Sequence, residues 1–256
     1  MIVAAGSGER LGAGMPKALV PLHGRPLLNW AVDAFASHPD IDSVVVVAPA
    51  DSVPAVQAGV GGLASVVAGG ASRQRSVDQG LAALDPDVEL VLVHDAARPL
   101  VDPSVISAVV AGLRSGEQAV IPVLAVADTI KRVDSAGLVI TTLDRTELRA
   151  VQTPQGFSRT VLLAAHRAAE QRSLTEVTDD AGLLEALGIA VRTVVGAQSC
   201  FKITTPYDLR LAHSIAAEPA HPAEPAKPTE PVHPAEPAKP IPPAEAAVLS
   251  DAGQPA

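Results

Sequence analysis

The stretch Ile2-Val3-Ala4-Ala5-Gly6-Ser7-Gly8-Glu9-Arg10-Leu11-Gly12 decides the fold of the amino-terminal half. Its first four residues are apolar, as in a buried strand. The glycines that follow allow a tight loop whose backbone N–H groups converge on an anion. Arg10 and the nearby Lys17 add full positive charge. We therefore predict a strand that runs into a phosphate-binding loop.

The glycine spacing in this loop differs from two well-known nucleotide signatures. The dinucleotide fingerprint needs glycine at position 11, where Leu11 stands, and the P-loop needs Gly-Lys-Ser/Thr, where the chain has Pro16-Lys17-Ala18. A surface loop with two solvated cations is the alternative interpretation of the same residues. The later loops are needed to choose between the two.

The composition favours a sheet that is buried on both faces. Hydrophobic residues make up 48% of the chain but aromatic residues only 2%, so Val, Leu, Ile and Ala must build the core. Strand-like apolar runs occur at 43–48, 65–68, 89–94 and 119–124. Helical stretches fall between them at 27–36, 77–84 and 103–113. This alternation predicts an α/β, Rossmann-like fold with a mostly parallel twisted sheet flanked by helices.

Charge and cysteine content narrow the function classes. The net charge of −9 argues against a protein that binds nucleic acid through a basic face. The single cysteine, Cys200, cannot form an internal disulfide, and we interpret it as a packed thiol. No leader or membrane segment is evident at the start. We expect a cytoplasmic protein with neither nucleic-acid nor membrane partners.

Three loops that follow strands carry the polar chemistry, and they should meet at one edge of the sheet. They span residues 5–17, 69–76 and 95–99. The second joins Gly69-Gly70 to Ser72 and Ser76, which suit a base or ribose, although one of these serines could instead cap a helix. In the third, Asp95 could hold a divalent cation or a sugar hydroxyl. We interpret the preceding His94 as structural.

A change of pattern near residue 128 predicts a β-hairpin arm at about 128–150. Residues 129–133 and 138–142 flank the turn Asp134-Ser135-Ala136-Gly137. Their alternating apolar positions would leave an exposed edge on a monomer, so we expect the arm to pack on a second subunit in a homodimer. Further on, 152–157 reads as a polar stretch, 159–172 as a helix and 201–203 as a short strand. Thr205 and Pro206 then fit the N-cap and first position of a last helix.

The carboxyl-terminal segment 218–256 has a different organisation. Two copies of a twelve-residue unit follow each other, and proline falls at every third position from Pro219 to Pro240. Three residues per turn is the period of polyproline II, and the composition cannot supply a core. We therefore predict one domain at 1–217 and a disordered, polyproline-II-like tail at 218–256.

The motifs together resemble the 2-C-methyl-D-erythritol 4-phosphate cytidylyltransferases over about residues 1 to 215. They are A-A-G-S-G-E-R from 4, P-K at 16, G-G-A-S-R-Q-R-S-V from 69, H-D-A-A-R-P from 94, D-T-I-K from 128, D-R at 144, Q-T-P-Q at 152 and F-K-I-T at 201. The family transfers CMP from CTP to 2-C-methyl-D-erythritol 4-phosphate and releases pyrophosphate in the non-mevalonate isoprenoid pathway. Glycine loops are common to many nucleotidyltransferases, whereas H-D-A-A-R-P followed by T-P-Q is specific to this family and its near relatives.

The resemblance implies roles for individual residues. Those that stabilise the transition state or position the phosphates would be Arg10, Lys17, Arg145 and Lys202. Those that contact the nucleotide would be Ala4, Ala5, Gly6, Gly8, Gly70, Ala71, Ser76 and Ala96. Those that contact methylerythritol phosphate, in a site built from both subunits, would be Asp95, Arg98, Thr129, Arg145, Thr153 and Lys202. It also implies Mg²⁺ or another divalent cation, bridging CTP phosphate oxygens, with Asp95 as a candidate ligand.

Two departures and two alternatives accompany this interpretation. Ala18 stands where the family usually has glutamine. Met1 lies almost inside the first strand, and this short start suggests a weakened sheet edge or a start assigned too late. One alternative function is a cytidylyltransferase for ribitol 5-phosphate or another polyol phosphate. The other is a non-catalytic scaffold that works through its proline-rich tail. Neither departure removes a charged group.

Overall fold

The structure is a computed structural model, and it describes residues 1–5, 11, 12, 14–172 and 178–217. Three predicted site residues, Gly6, Gly8 and Arg10, lie outside the described residues, as does the whole of 218–256. The predicted boundary between domain and tail therefore stays a prediction. In the described part of the chain, no helix is long and apolar enough to cross a membrane.

Strands and helices alternate over residues 25–125, as the sequence predicts, and five strands follow one another over residues 119–158. The strands are β1 (Ile2–Val3), β2 (Pro21–Leu22), β3 (Arg25–Pro26), β4 (Val45–Ala48), β5 (Ser65–Ala68), β6 (Leu90–Asp95), β7 (Ala119–Ala125), β8 (Lys131–Val133), β9 (Val139–Thr142), β10 (Arg149–Val151), β11 (Gln155–Ser158) and β12 (Arg192–Val195). The helices are α1 (Leu27–Ala36), α2 (Val53–Val60), α3 (Arg73–Ala82), α4 (Pro103–Arg114), α5 (Arg159–Gln171), α6 (Asp180–Glu185) and α7 (Pro206–Ala217).

A mixed, mostly parallel sheet forms the centre of the fold. Its strand order is β10-β7-β11-β6-β1-β4-β5, and β12 also pairs with β7. β1 runs parallel to both β4 and β6, and β4 runs parallel to β5. Only β10 and β11 run against the others within the described sheet. The predicted fold class is confirmed.

Helices cover both faces because the strand residues alternate between two apolar clusters. Ile2, Val46 and Leu92 lie in a cluster with α1, α2 and α4, whereas Val47 and Val93 lie in one with α3, α5 and α6. Side chains two apart on a strand share a face, so Val/Ile-rich strands serve both layers. A third apolar cluster joins β2 and α1 to α7.

The antiparallel strand β11 was missed in the sequence, where 152–157 reads as a polar stretch. β11 lies between β6 and β7, and Gln155 is opposite Val93. A Cβ at Gly156 would meet side chains of α4, including Leu113 Cδ1 at 2.8 Å, so glycine lets this helix approach the strand closely. This insertion places Thr153 beside the end of β6.

Two further expectations about elements are corrected. Residues 201–203, predicted as a strand, form no strand: Phe201 is extended, with φ −65° and ψ 153°, but Ile203 N–H donates to the carbonyl of Ala97 outside any ladder. The helix predicted at 77–84 begins at Arg73 instead. Its early start follows from the cap at Ser72, whose side chain accepts from Arg75 N–H.

The predicted hairpin is present as β8 and β9, which pair antiparallel in a separate two-stranded sheet. Asp134 organises the turn, because its carboxylate accepts from the N–H groups of Ala136 and Leu138. Leu138, Val139 and Ile140 are 67%, 61% and 55% exposed. Whether this arm joins two subunits stays a prediction.

Candidate active site

The predicted loops meet at the carboxyl end of the parallel strands. Ala96 N–H donates to the carbonyl of Val3 at 3.0 Å, which joins the third loop to the first strand. A Cβ built on Gly69 would lie 2.8 Å from the side chain of Ala5, so the first and second loops are also in contact. The nucleotide-contact candidates Ala4, Ala5 and Ala96 therefore lie at one sheet edge.

The second loop is closed by Ser76. Its hydroxyl donates to the carbonyl of Ser72 at 2.9 Å and accepts from Gly70 N–H at 3.2 Å. Gly70 also packs so closely on Arg75 that a side chain there would collide with it. Ser72 is the helix cap, which answers the question the sequence left open. Gly70 and Ala71 are exposed and face the solvent side of this edge.

Asp95 and Lys202 form the charged centre of the site. Lys202 Nζ lies 2.7 Å from Asp95 Oδ2, although the two residues are far apart in the sequence. Burial alone would raise the pKa of the Asp95 carboxyl, but Lys202 and then Arg73 outweigh it, so the pKa is lowered. The side chain of Lys202 is 44% exposed, against 13% for Asp95. The ammonium group is thus open to a ligand while the carboxylate is held beneath it.

Arg98 fixes the backbone that carries Lys202. Its guanidinium donates to the carbonyl of Cys200 at 2.8 Å and to that of Val151 at 3.3 Å. Burial lowers the pKa of Arg98, with Asp95 acting in the opposite direction. The Cys200 thiol is fully buried and accepts from Asp102 N–H at 3.3 Å, as expected for a packed thiol.

Thr153 joins Asp95 to His94 through hydrogen bonds of defined direction. His94 Nε2 lies 3.0 Å from the carbonyl of Arg98, which can only accept, so this nitrogen carries the proton. Nδ1 then accepts from the Thr153 hydroxyl at 3.0 Å, and the same hydroxyl accepts from Asp95 N–H at 3.1 Å. Burial lowers the pKa of His94 to about 4, which keeps the ring neutral at pH 7. His94 is structural, as predicted.

The remaining predicted residues belong to the first loop and to the arm. Lys17 begins a short 3₁₀ turn and is half-buried. Thr129 and Arg145 are exposed on the arm, where Arg145 donates to the carbonyl of Ala127. Among the contacts of the described residues, none joins these two to Asp95 or Lys202.

Sequence reasoning missed Arg73 and Asp180. Arg73 NH1 lies 2.7 Å from Asp180 Oδ2, and Arg73 NH2 lies 3.8 Å from Asp95 Oδ1. Arg73 belongs to the second loop motif, but it is the first residue of α3. Its side chain pairs with the carboxylate of Asp180, which comes much later in the chain. The two adjacent acids Asp179 and Asp180, which precede an apolar run, are a pattern typical of a helix start and could have indicated α6.

The described residues contain no cluster of three His, Cys, Asp or Glu side chains that could hold a metal ion. Asp95 is the acidic candidate ligand near the nucleotide loops. Its two carboxylate oxygens face Lys202 and Arg73. A divalent cation at this edge would therefore need oxygens from a ligand, as phosphate-bound Mg²⁺ commonly has.

Most of the chain is similar to proteins of one family. The model of the IspD family, 2-C-methyl-D-erythritol 4-phosphate cytidylyltransferase, matches residues 1–218. A Rhodococcus opacus protein with that name is 52% identical over 221 residues, which cover 86% of this chain and 96% of that protein.

Solved structures of similar proteins agree in fold. The crystal structure of 2-C-methyl-D-erythritol 4-phosphate cytidylyltransferase from Thermus thermophilus is 39% identical, with a TM-score of 0.69, and the match covers 84% of this chain and 97% of that one. That of 4-diphosphocytidyl-2C-methyl-D-erythritol synthase from Anaerococcus prevotii is 31% identical, with a TM-score of 0.74, and covers 85% and 94%.

Proposed function

The chain belongs to the 2-C-methyl-D-erythritol 4-phosphate cytidylyltransferase family, and we propose that the residues around Asp95 and Lys202 carry its reaction. The activity is the transfer of CMP from CTP to 2-C-methyl-D-erythritol 4-phosphate, with release of pyrophosphate. The observation that carries the proposal is the exposed Lys202 ammonium held over a buried carboxylate at the carboxyl end of β6. An ammonium in this position can bind a phosphate without a large rearrangement.

The reaction needs positioning more than proton transfer, because the attacking phosphate is already an anion. One of its oxygens bonds to the α-phosphorus of CTP, while the bond from that phosphorus to the oxygen bridging to the β-phosphate breaks. Pyrophosphate leaves with that electron pair. Cations that neutralise the growing charge then supply the catalysis. Lys202 is proposed to fill this role beside Asp95, and Lys17 and Arg10 are proposed to do so from the first loop.

The nucleotide is proposed to lie across the first and second loops. The contact between Gly69 and Ala5 supports this, because it makes one continuous edge from two glycine-containing segments. Gly70, Ala71 and Ser76 would meet the cytidine, together with Ala4 and Ala96. For Gly6 and Gly8 the proposal depends on the sequence alone.

Mg²⁺ is proposed to be carried by the phosphate oxygens of CTP. The pairing of the Asp95 carboxylate with Lys202 and Arg73 supports this assignment over a metal cage made by the protein. When bound, the ion would neutralise phosphate charge. Asp95 would then serve the methylerythritol hydroxyls, next to Thr153 and Arg98.

A homodimer formed through the arm is the proposed assembly. Leu138, Val139 and Ile140 present an apolar edge that a second subunit would cover. Arg145 and Thr129, at the foot of the arm, are proposed to reach the partner's substrate phosphate, for which an arginine fork is well suited. The cytoplasm, where CTP is available, is the proposed location.

Pyrophosphate release by the full chain tests this function. CTP and Mg²⁺ would be supplied with 2-C-methyl-D-erythritol 4-phosphate or ribitol 5-phosphate in parallel, and Arg114→Gln, far from the site on α4, would serve as the matched charge-removal control for Lys202→Gln. We expect release with the first substrate, loss in Lys202→Gln and normal turnover in Arg114→Gln. Release with ribitol 5-phosphate alone, or with neither substrate, would overturn the assignment.

A further inference from the structure

A row of ionisable side chains continues inward from Lys202 into the layer between α3, α5 and α6. After Asp95 come Arg73 on α3, Asp180 on α6 and His166 on α5. His166 Nε2 lies 3.2 Å from Asp180 Oδ1, and its Nδ1 lies 2.7 Å from Asp78 Oδ1. The row thus extends well beyond the groups assigned to the reaction.

Arg73 is the branch point of this row. Its two terminal nitrogens face different carboxylates, with NH1 at 2.7 Å from Asp180 Oδ2 and NH2 at 3.8 Å from Asp95 Oδ1. The pKa of Arg73 is raised, because Asp180 and Asp95 outweigh the effect of burial. One guanidinium therefore divides its charge between a carboxylate of the site and one behind it.

Asp180 anchors the guanidinium from below. Its side chain is 1% exposed, and a buried carboxylate without a cation would be very unfavourable. The neighbouring residue adds rigidity, because Asp179 caps α6 through Gly182 N–H and accepts from Gln155 Nε2 at 2.7 Å. α6 is thereby tied to β11, next to the strand that carries Asp95.

The division of charge bears directly on Lys202. With Arg73 present, Asp95 faces two cations, so the Lys202 ammonium is only partly neutralised and can bind a phosphate. Without Arg73, more of the carboxylate charge would fall on Lys202, because the nearby Arg98 guanidinium already donates to the carbonyls of Cys200 and Val151. The site would then offer an incoming anion one net positive charge less.

We propose that Arg73 is a positioning residue for the transfer reaction: held by Asp180, it shares the charge of Asp95 and so keeps Lys202 available to the substrate phosphate. This inference depends on the proposed function, since it concerns the same lysine. Arg75 provides a matched comparison on the same helix. It pairs with Glu170 of α5 at 2.7 Å, but both side chains are more than half exposed, and its contacts do not include Asp95.

A double-mutant cycle in kcat/KM tests the proposal. Arg73→Gln, Asp95→Asn and the double variant would be compared with Arg75→Gln in both backgrounds. We expect Arg73→Gln to lower kcat/KM for the phosphate substrate at least about tenfold, chiefly through KM, and less than about threefold once Asp95 is asparagine. Arg73→Lys should restore part of the loss, and Arg75→Gln should have little effect in either background. Equal losses in the two backgrounds would show that Arg73 acts independently of Asp95, and would overturn the proposal.

A second measurement does not depend on turnover. Lysines would be reductively methylated with ¹³C-formaldehyde, and the Lys202 resonance would be assigned by its absence in Lys202→Arg. We expect Arg73→Gln and Asp180→Asn to shift this resonance, and Arg75→Gln to leave it in place. An unmoved resonance in folded Arg73→Gln would refute the coupling. If the variants shift the resonance but the wild-type protein releases no pyrophosphate, the proposed function alone is refuted.

Discussion

Replacing Thr153 with valine tests the hydrogen-bonded chain that supports Asp95 from below. Valine has nearly the same shape as threonine, so the packing is kept while the hydroxyl is lost. Asp95 N–H then loses its acceptor, and His94 Nδ1 loses its donor. Both groups are buried, so water cannot easily replace the hydroxyl.

The expected cost follows from these two lost partners. A buried polar group left unpaired costs about 1–3 kcal/mol, so the loss of two partners should lower the free energy of unfolding by about 2–6 kcal/mol. With a urea m-value of about 2–3 kcal/mol/M, the midpoint should fall by about 1–3 M. Turnover should also fall, because Asp95 would lose the hydrogen bond from its main-chain N–H to Thr153.

Urea unfolding followed by circular dichroism is the assay, with Thr153→Ser as the control. Serine keeps the hydroxyl and removes one methyl group, which should cost only about 1 kcal/mol. If the valine and serine variants unfold within about 0.5 kcal/mol of each other, the hydroxyl does not hold Asp95 and the reasoning is refuted.

Four further predictions concern other parts of the molecule. Burial holds the pKa of His94 at about 4, below its usual 6.5, so its neutral ring contributes fully to the free energy of unfolding above pH 6.5, and this contribution is lost as the pH falls toward 4. Urea unfolding should show a loss of stability of roughly 3 kcal/mol over this range, and His94→Gln should not show it. Lys202→Gln should lower kcat/KM at least about a hundredfold in the pyrophosphate assay, and a loss below tenfold would contradict its role. Ile140→Lys should shift the proposed dimer toward monomer in light scattering at micromolar concentration, and unchanged mass would count against the arm as the interface. Gly156→Ala should lower the free energy of unfolding by about 1–3 kcal/mol, because the added methyl group would collide with α4. Gly59→Ala has open space around it and should be neutral or stabilising. Equal effects of the two variants in urea unfolding would exclude the collision.

The parallel half of the sheet could be predicted because its signals are local. α1 begins and ends where the sequence predicts, and β5 does so too, since apolar runs of the right period stand between turn residues. The convergence of Asp95 and Lys202 was expected from the family resemblance and is seen in the geometry. Their catalytic roles stay proposals.

The rest depends on partners that local patterns do not reveal. Gln155 looks like a loop residue, yet it is buried in β11 because Asp179 and the Ala181 N–H satisfy its amide. Arg73 could be seen as part of a glycine loop, but the carboxylate that turns it inward lies on α6. Phe201 and Ile203 flank Lys202 with the alternation expected of a strand, but these residues pair with no neighbouring strand.

The pairing of Lys202 with Asp95 also has a consequence for biosynthesis. The two residues are separated by 107 positions, and Arg98 reaches Cys200 across 102. A nascent chain can complete β1, β4, β5 and β6 long before the ribosome has added the lysine that completes the charged pair. Until then, Asp95 lacks the ammonium group of Lys202, and the Cys200 carbonyl that binds Arg98 is absent. We therefore expect the Asp95–Lys202 pair to form late in folding, because its two residues are distant in sequence.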